Sequence, residues 1–208
     1  MTTSNFVDEL HAWRRDWKIR VKVLKRWNKP DRQGLPGLNF ILVDENGCRI
    51  NASCGNIAFP YFYRVGTEGR WLELSKFGLI PSKWKNEGRT TRHNYQIILT
   101  TGTEVSSLRP LTMDPFMKFV LFSEIYRILY ALLYPVDLIG VMENVSDIET
   151  ENNPDGDTIQ KITFTITDLE DVKLKCIAYG DFAADIKERT KGFTGLFAVS
   201  VLTDWSMK

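Results

Sequence analysis

The run WKIRVKV at residues 17–23 constrains this chain more than any other stretch. Trp17, Ile19, Val21 and Val23 are apolar, and between them stand Lys18, Arg20 and Lys22. A period of two predicts a β-strand with one dry face and one basic face. Three like charges along one face repel one another, so something must offset them. Residues two apart on a strand lie roughly 6.6 Å apart, twice the per-residue rise, a pitch comparable to an extended nucleotide backbone. Two readings stay open: a face solvated by water and counterions, or a rail for an anionic ligand.

The charge distribution bears on that choice. The 208 residues carry a formal net charge of +1. Residues 1–108 hold 17 Lys/Arg against 10 Asp/Glu, and residues 109–208 hold 10 against 16, so the halves are +7 and −6. The basic half is the candidate for a polyanion. Three cysteines, Cys48, Cys54 and Cys176, with no CxxC pair and only two histidines, support neither a zinc module nor a disulfide framework. No metal or cofactor is expected, and the cysteine usage predicts a reduced, intracellular protein. The start, MTTSNFVDELHAWRR, lacks the apolar core of a signal peptide and predicts a short amphipathic helix with Phe6, Leu10 and Trp13 on one side. The most apolar stretch, 116–141, is broken by Lys118, Glu124 and Arg127, which predicts a buried helix leading into a strand and no membrane span.

Along the chain the basic strand is followed by a turn-rich segment, NKPDRQGLPG, and then by LNFILVDENGCRINASCG, a hairpin about Glu45-Asn46-Gly47. A short helix is expected within 57–70, and WLELSKFGLIPS and TRHNYQIILTT read as strands. Strand, loop, hairpin, helix, two strands is the order of a five-stranded OB barrel. The order then recurs. YPVDLIGVMENVSDI is a strand and ENNPDGD a polar loop. TIQKITFTITD and VKLKCIAYG form a hairpin, DFAADIKERTKG a helix and LFAVSVL a strand. The expected architecture is mainly β: two tandem barrels, 1–108 and 134–208, joined by a helical linker at 109–133. Strands near 135–146, 159–167, 172–179 and 196–203 make four in the second half, so that barrel is expected to lack its last strand.

WKIRVKVLKRW, LNFILVDENGCRINASC, RTTRHNYQI, YPVDLIGVMENV and LKCIAYGDFA, taken in this order, resemble the plant-expanded family of DNA-binding domains similar to the large subunit of replication protein A. The resemblance spans nearly the whole chain. It implies tandem OB folds that bind single-stranded DNA without catalysis, act in replication, repair or recombination, and reside in the nucleus. The chain departs from the family in having no zinc-ribbon cysteines and in placing Tyr179 where many relatives carry Trp.

Single-strand binding needs cations along the phosphates and flat faces for the bases. Lys18, Arg20 and Lys22 are the rail candidates, and Lys25 is a further nucleic-acid-binding candidate. In the hairpin, Ile50 and Ala52 are expected inward, which sends Arg49, Asn51 and Ser53 to the face where OB folds hold ligands. The loop KWKNEGRTTRH supplies Lys83, Trp84, Lys85, Arg89, Arg92 and His93, an aromatic among cations; Trp84 is expected as a stacking platform, with a cap on the barrel as the alternative. Trp27 is either platform or core, Phe40 is expected in the core, and Lys29 and Arg32 sit in the first long loop, either reaching phosphates or simply solvated. In the second half Lys173 and Lys175 repeat the rail weakly, among the acids Asp168, Glu170 and Asp171.

No nucleophile setting, phosphate-binding glycine loop or His/carboxylate cluster appears, so no enzyme is expected. The leading expectation is a single-stranded DNA-binding protein. A protein-interaction adaptor and a single-stranded RNA binder are the alternatives. A second copy or a protein partner is expected at residues 196–205, where an apolar strand would leave an open edge.

Overall fold

The computed structural model describes residues 4–82, 90–128, 135–152, 158–192 and 198–206. The chain divides into two compact units, Met1–Phe116 and Met117–Lys208.

The first unit opens with a single 3-10 turn, Val7–Glu9, where the sequence predicts an amphipathic helix. The difference is tertiary. Val7 N–H donates to Asp44 Oδ2 at 2.7 Å, the Val7 carbonyl lies 2.9 Å from His93 Nε2, and Asn5 bridges to Ile19. The Val7 carbonyl can only accept, so His93 Nε2 donates to it, while Nδ1 lies 3.0 Å from the Tyr95 nitrogen and 3.1 Å from the Tyr95 carbonyl oxygen. Backbone groups that a helix would pair are taken by other elements, and Trp13 is left 92% exposed.

The sheet of this unit contains β1 (Lys18–Asn28), β2 (Leu38–Val43), β3 (Arg49–Cys54), β4 (Trp71–Ser75), β5 (Gly78–Pro81), β6 (Tyr95–Leu99) and β7 (Glu104–Leu108), with helix α1 (Phe59–Val65) between β3 and β4. The strand order is β5-β6-β3-β2-β1-β4-β7. β4 runs into β5 through Lys76, whose φ of +56° makes the bend, and β6 turns through residues 100–103 into β7. Because β5 pairs with β6 while β4 pairs with β7, one bent hairpin joins β3 on one side and β1 on the other. That closes the barrel, and the five strands expected from sequence become seven segments because the last two are each broken once.

Alternation fills the interior. Ile19, Val21 and Val23 meet Leu38, Phe40 and Leu42, then Ile50 and Ala52, with Phe62 of α1 against them. Phe40 is in the core, as expected. Truncating such a fully buried aromatic costs about 3 to 5 kcal/mol.

The second unit contains α2 (Phe122–Ile128), β8 (Val136–Glu143), β9 (Glu149–Asn152), β10 (Thr158–Thr167), β11 (Lys173–Tyr179), α3 (Asp181–Thr190) and β12 (Ala198–Trp205). Phe122 and Ile125 are buried in the same core as Leu138, Ile162 and Phe164. The helix expected in a linker is therefore part of this unit. The sheet order is β11-β10-β8-β12, with β9 paired to β10. Among the described residues five strands replace the four counted from sequence, because Glu149–Asn152 pairs with Thr158–Lys161 and so draws Glu151 and Asn152 out of the expected polar loop. Lys161 reaches Glu149 and Glu151 at 3.6 and 3.1 Å and supports that pairing. β9 extends one hairpin only; among the described residues no strand bridges β11 to β12.

One device occurs in both units. In the β2–β3 turn, Asp44 Oδ1 accepts the N–H groups of Asn46 and Cys48 while Oδ2 accepts that of Val7. In the β10–β11 turn, Asp168 Oδ1 accepts those of Glu170 and Val172 while Oδ2 accepts that of Phe122. Each carboxylate closes its own hairpin and ties it to the segment preceding the unit's first strand. The internal repeat read from strand order thus extends to side-chain chemistry.

Candidate nucleic-acid interface

The outward face of the first barrel begins with the basic residues of β1. Lys18 pairs with Glu73 at 2.6 Å and Arg20 with Glu45 at 3.0 Å. Lys22 Nζ donates to the Asp114 carbonyl at 3.2 Å and sits 5.3 Å from the centre of the Phe116 ring. Carboxylates of β4 and of the β2–β3 turn, with a backbone carbonyl, therefore offset the three like charges. These pairs are partly exposed and individually weak, but a phosphate at this face has to compete with them.

Between Val23 and Lys25 the pairing of β1 with β2 shifts by one residue, a bulge at Leu24. An extra residue reverses the alternation. Lys25 and Trp27, at odd positions that would otherwise face inward, now share the outward face with Ile41, Asn39, Asn51 and Ser53 through the pairs Lys25↔Ile41↔Asn51 and Trp27↔Asn39↔Ser53. Arg26 turns the other way: it donates to the Tyr63 carbonyl at 2.7 Å and stacks over the Tyr63 ring at 4.9 Å. The bulge thus leaves Trp27 half-buried on the outward face.

The segment after β7 covers part of this face. Phe116 is buried against Val43, Trp71, Leu24 and Leu108, and its carbonyl accepts from Arg49 Nη2 at 2.6 Å. Its φ is +58°, an uncommon value for a residue with a side chain. This packing carries the first unit past residue 108, the sequence-based boundary, to Phe116. It also engages Lys22 and Arg49 at one end of the face.

The other end is open. A groove of about 480 Å³ lies beside the loop at 29–37, lined by Trp27 and Lys29, by Asn39, Asn51, Ser53 and Gln96 of the sheet, and by Ser82, Thr90 and Thr91 from the segment between β5 and β6. The neck of the 29–37 loop is tight: Lys29 N–H donates to the Gly37 carbonyl at 2.9 Å, and a Cβ on Gly37 would stand 2.5 Å from the Lys29 carbonyl oxygen. Only glycine lets the two arms of the loop approach this closely. Asn51 Oδ1 and Thr90 Oγ1 are buried and find no hydrogen-bond partner among the described residues.

The sequence-based candidates therefore separate. Trp27 and Asn51 line the groove, with Lys25 on the same face. Lys18, Arg20, Lys22 and Arg49 hold intramolecular partners away from it. Arg32 is exposed in the 29–37 loop and Arg92 is exposed before β6. Lys83, Trp84, Lys85 and Arg89 lie outside the described residues. In the second unit Lys173 pairs with Glu143 at 3.1 Å, and Lys175 is exposed on β11 opposite Thr165. Sequence reasoning missed Asn39, Gln96, Thr90 and Thr91. Asn39 had a signal, as the single polar residue in the otherwise apolar strand LNFILV; the others acquire meaning only when β6 lies beside β3.

The groove also contains a thiol. Cys54 lines it, and burial pushes its pKa up. Burial raises Cys176 further, to about 11. Both stay protonated at neutral pH and are poor nucleophiles.

The sequence pattern of the family described as "Domain of unknown function DUF223" matches residues 8–127. The chain belongs to that family. The DUF223 match takes in the whole first barrel and its groove and ends within α2. Among curated relatives, a replication protein A 70 kDa DNA-binding subunit from Oryza sativa subsp. japonica is 25% identical over 202 residues, covering 93% of this chain and 30% of that protein. The Arabidopsis thaliana relative, likewise a replication protein A 70 kDa DNA-binding subunit, is 24% identical over 204 residues, covering 93% and 25%. This DUF223 chain thus spans less than a third of the length of these relatives. A solved replication protein A heterotrimer bound to single-stranded DNA superposes with a TM-score of 0.56 at 18% identity, over 95% of this chain and 46% of that one. At that identity the likeness shows a shared fold.

Proposed function

We propose that this chain is a non-enzymatic single-stranded DNA-binding protein whose main site is the groove of the first barrel, acting in the nucleus in replication, repair or recombination. The observation that carries the reading is the groove itself: an indole, a lysine and a lining of amides and hydroxyls beside a loop on an OB-type barrel. An aromatic face takes a base, a lysine takes a phosphate, and neutral polar groups take base edges, which together suit a splayed single strand. The relatives named as DNA-binding subunits support the same ligand. The raised pKa values of Cys54 and Cys176 favour binding over nucleophilic chemistry. Titration of the full chain with labelled oligo-dT, oligo-U and duplex DNA tests the proposal. Oligo-dT is expected to bind well above duplex; a duplex preference overturns the reading, and a clear oligo-U preference transfers it to RNA.

A second reading, self-association through β12, is favoured by how this edge differs from the other. Lys173 and Lys175 stand on β11, the opposite edge of the same sheet, and are residues that discourage strand addition. β12 has neither proline nor charge from Ala198 to Thr203, and Val199 and Val201 on its outward face are 63% and 45% exposed beside Val141 and Ile139. Light scattering of the full chain is expected to show a mass rising with concentration, and Val199→Lys or Val201→Lys is expected to return it to monomer. A monomer at every concentration, unchanged by either lysine, excludes pairing through this edge.

A further inference from the structure

The unpartnered atoms of the groove support one step more, which rests on the single-strand reading above. Asn51 projects outward from the middle of β3, register-paired with Ile41 on one side and Gln96 on the other. Its Oδ1 is buried, lacks a donor among the described residues, and belongs to a residue lining the groove. Thr90 Oγ1, on another residue lining the groove, is in the same condition. Two buried side-chain oxygens without a partner among the described residues thus belong to residues lining one groove. A buried carbonyl oxygen left without a donor destabilises the free protein, and the penalty is relieved when a donor enters.

The chemistry of that atom narrows its ligand. A carbonyl oxygen repels phosphate oxygens, and a DNA backbone offers no donor within the strand, so the backbone of single-stranded DNA does not satisfy it. A nucleobase edge does. Thymine presents N3–H, guanine N1–H, and cytosine and adenine an exocyclic amine. We propose that Asn51 holds one nucleobase of the bound strand by its edge, Oδ1 accepting a hydrogen bond from a base N–H, while Trp27 offers a face for stacking. Since every base carries such an N–H, the contact orients a base without selecting a sequence.

Replacing every thymine of a short oligo-dT by N3-methylthymine removes that N–H while keeping charge and stacking. By fluorescence anisotropy, the full chain is expected to bind the methylated oligomer roughly tenfold more weakly than oligo-dT. Asn51→Ala deletes the acceptor and leaves room for the methyl group. It is expected to bind both oligomers alike, at close to the wild-type affinity for the methylated one. Equal binding of both by wild type overturns the inference and leaves the single-strand reading standing. So does a methylation penalty that persists in Asn51→Ala. Failure of wild type to bind oligo-dT at all overturns the single-strand reading itself.

Discussion

Trp27→Ala is expected to weaken oligo-dT binding by roughly tenfold to a hundredfold, as loss of a stacking platform does, without changing the dependence on salt. Removing Lys18 and Arg20 together is expected to change affinity by less than about threefold, since those side chains are engaged by Glu73 and Glu45. For wild type, a strand that gives up counterions at three or four phosphates predicts a slope of log affinity against log salt near −2 to −3, from about −0.7 per phosphate. Lys29, which lines the groove, is one source of that slope, and Lys29→Ala should make it shallower. Anisotropy titrations at several salt concentrations read all four proteins. If the Lys18/Arg20 pair instead carries the affinity and the slope, the rail is the binding surface and the groove is not. A fall in the melting temperature of Trp27→Ala with affinity intact would make Trp27 a structural residue.

Asp44→Ala is expected to have the largest effect on stability. Asp44 is buried, and its carboxylate accepts three backbone N–H groups, from Asn46, Cys48 and Val7. Hydrogen bonds to a charged acceptor contribute about 1.5 to 3 kcal/mol each. These three are not additive, because one change releases the turn and the N-terminal segment together. A loss of about 3 to 5 kcal/mol is expected in total, and at about 4 °C per kcal/mol for a unit of this size the melting temperature should fall by roughly 12 to 20 °C. Asp44→Asn keeps an acceptor for the turn and should cost less than half as much. Calorimetry of the full chain, with Asp168→Ala as the matching change in the second unit, reads both. Equal, small shifts for Asp44→Ala and Asp44→Asn would show that the turn holds without the carboxylate.

Much of the architecture is legible because it is written in local periods and turns. The alternation of WKIRVKV, the Asn46-Gly47 hairpin and the recurrence of strand, hairpin, helix and strand need only neighbours in sequence. Ile50 and Ala52 point inward and Arg49, Asn51 and Ser53 outward because a strand alternates whatever it packs against. The N-terminal segment fails the same approach: its pattern is helical, yet Asp44 and His93, far away in sequence, take the backbone groups a helix would use.

The class of fold, the inward residues, the basic character of the first half and the resemblance to a single-strand-binding family can all be read from residue order alone. Which outward residues come to share one groove depends on contacts between distant strands. One inserted residue, Leu24, moves Trp27 to the open face; Glu45 and Glu73 come from other strands to offset the rail; Phe116 returns from beyond β7 to cover Arg49; and β6 brings Gln96 beside Asn51. Each is a meeting of groups distant in the chain. A period-two pattern reports which way a side chain points and contains no information on what stands opposite it.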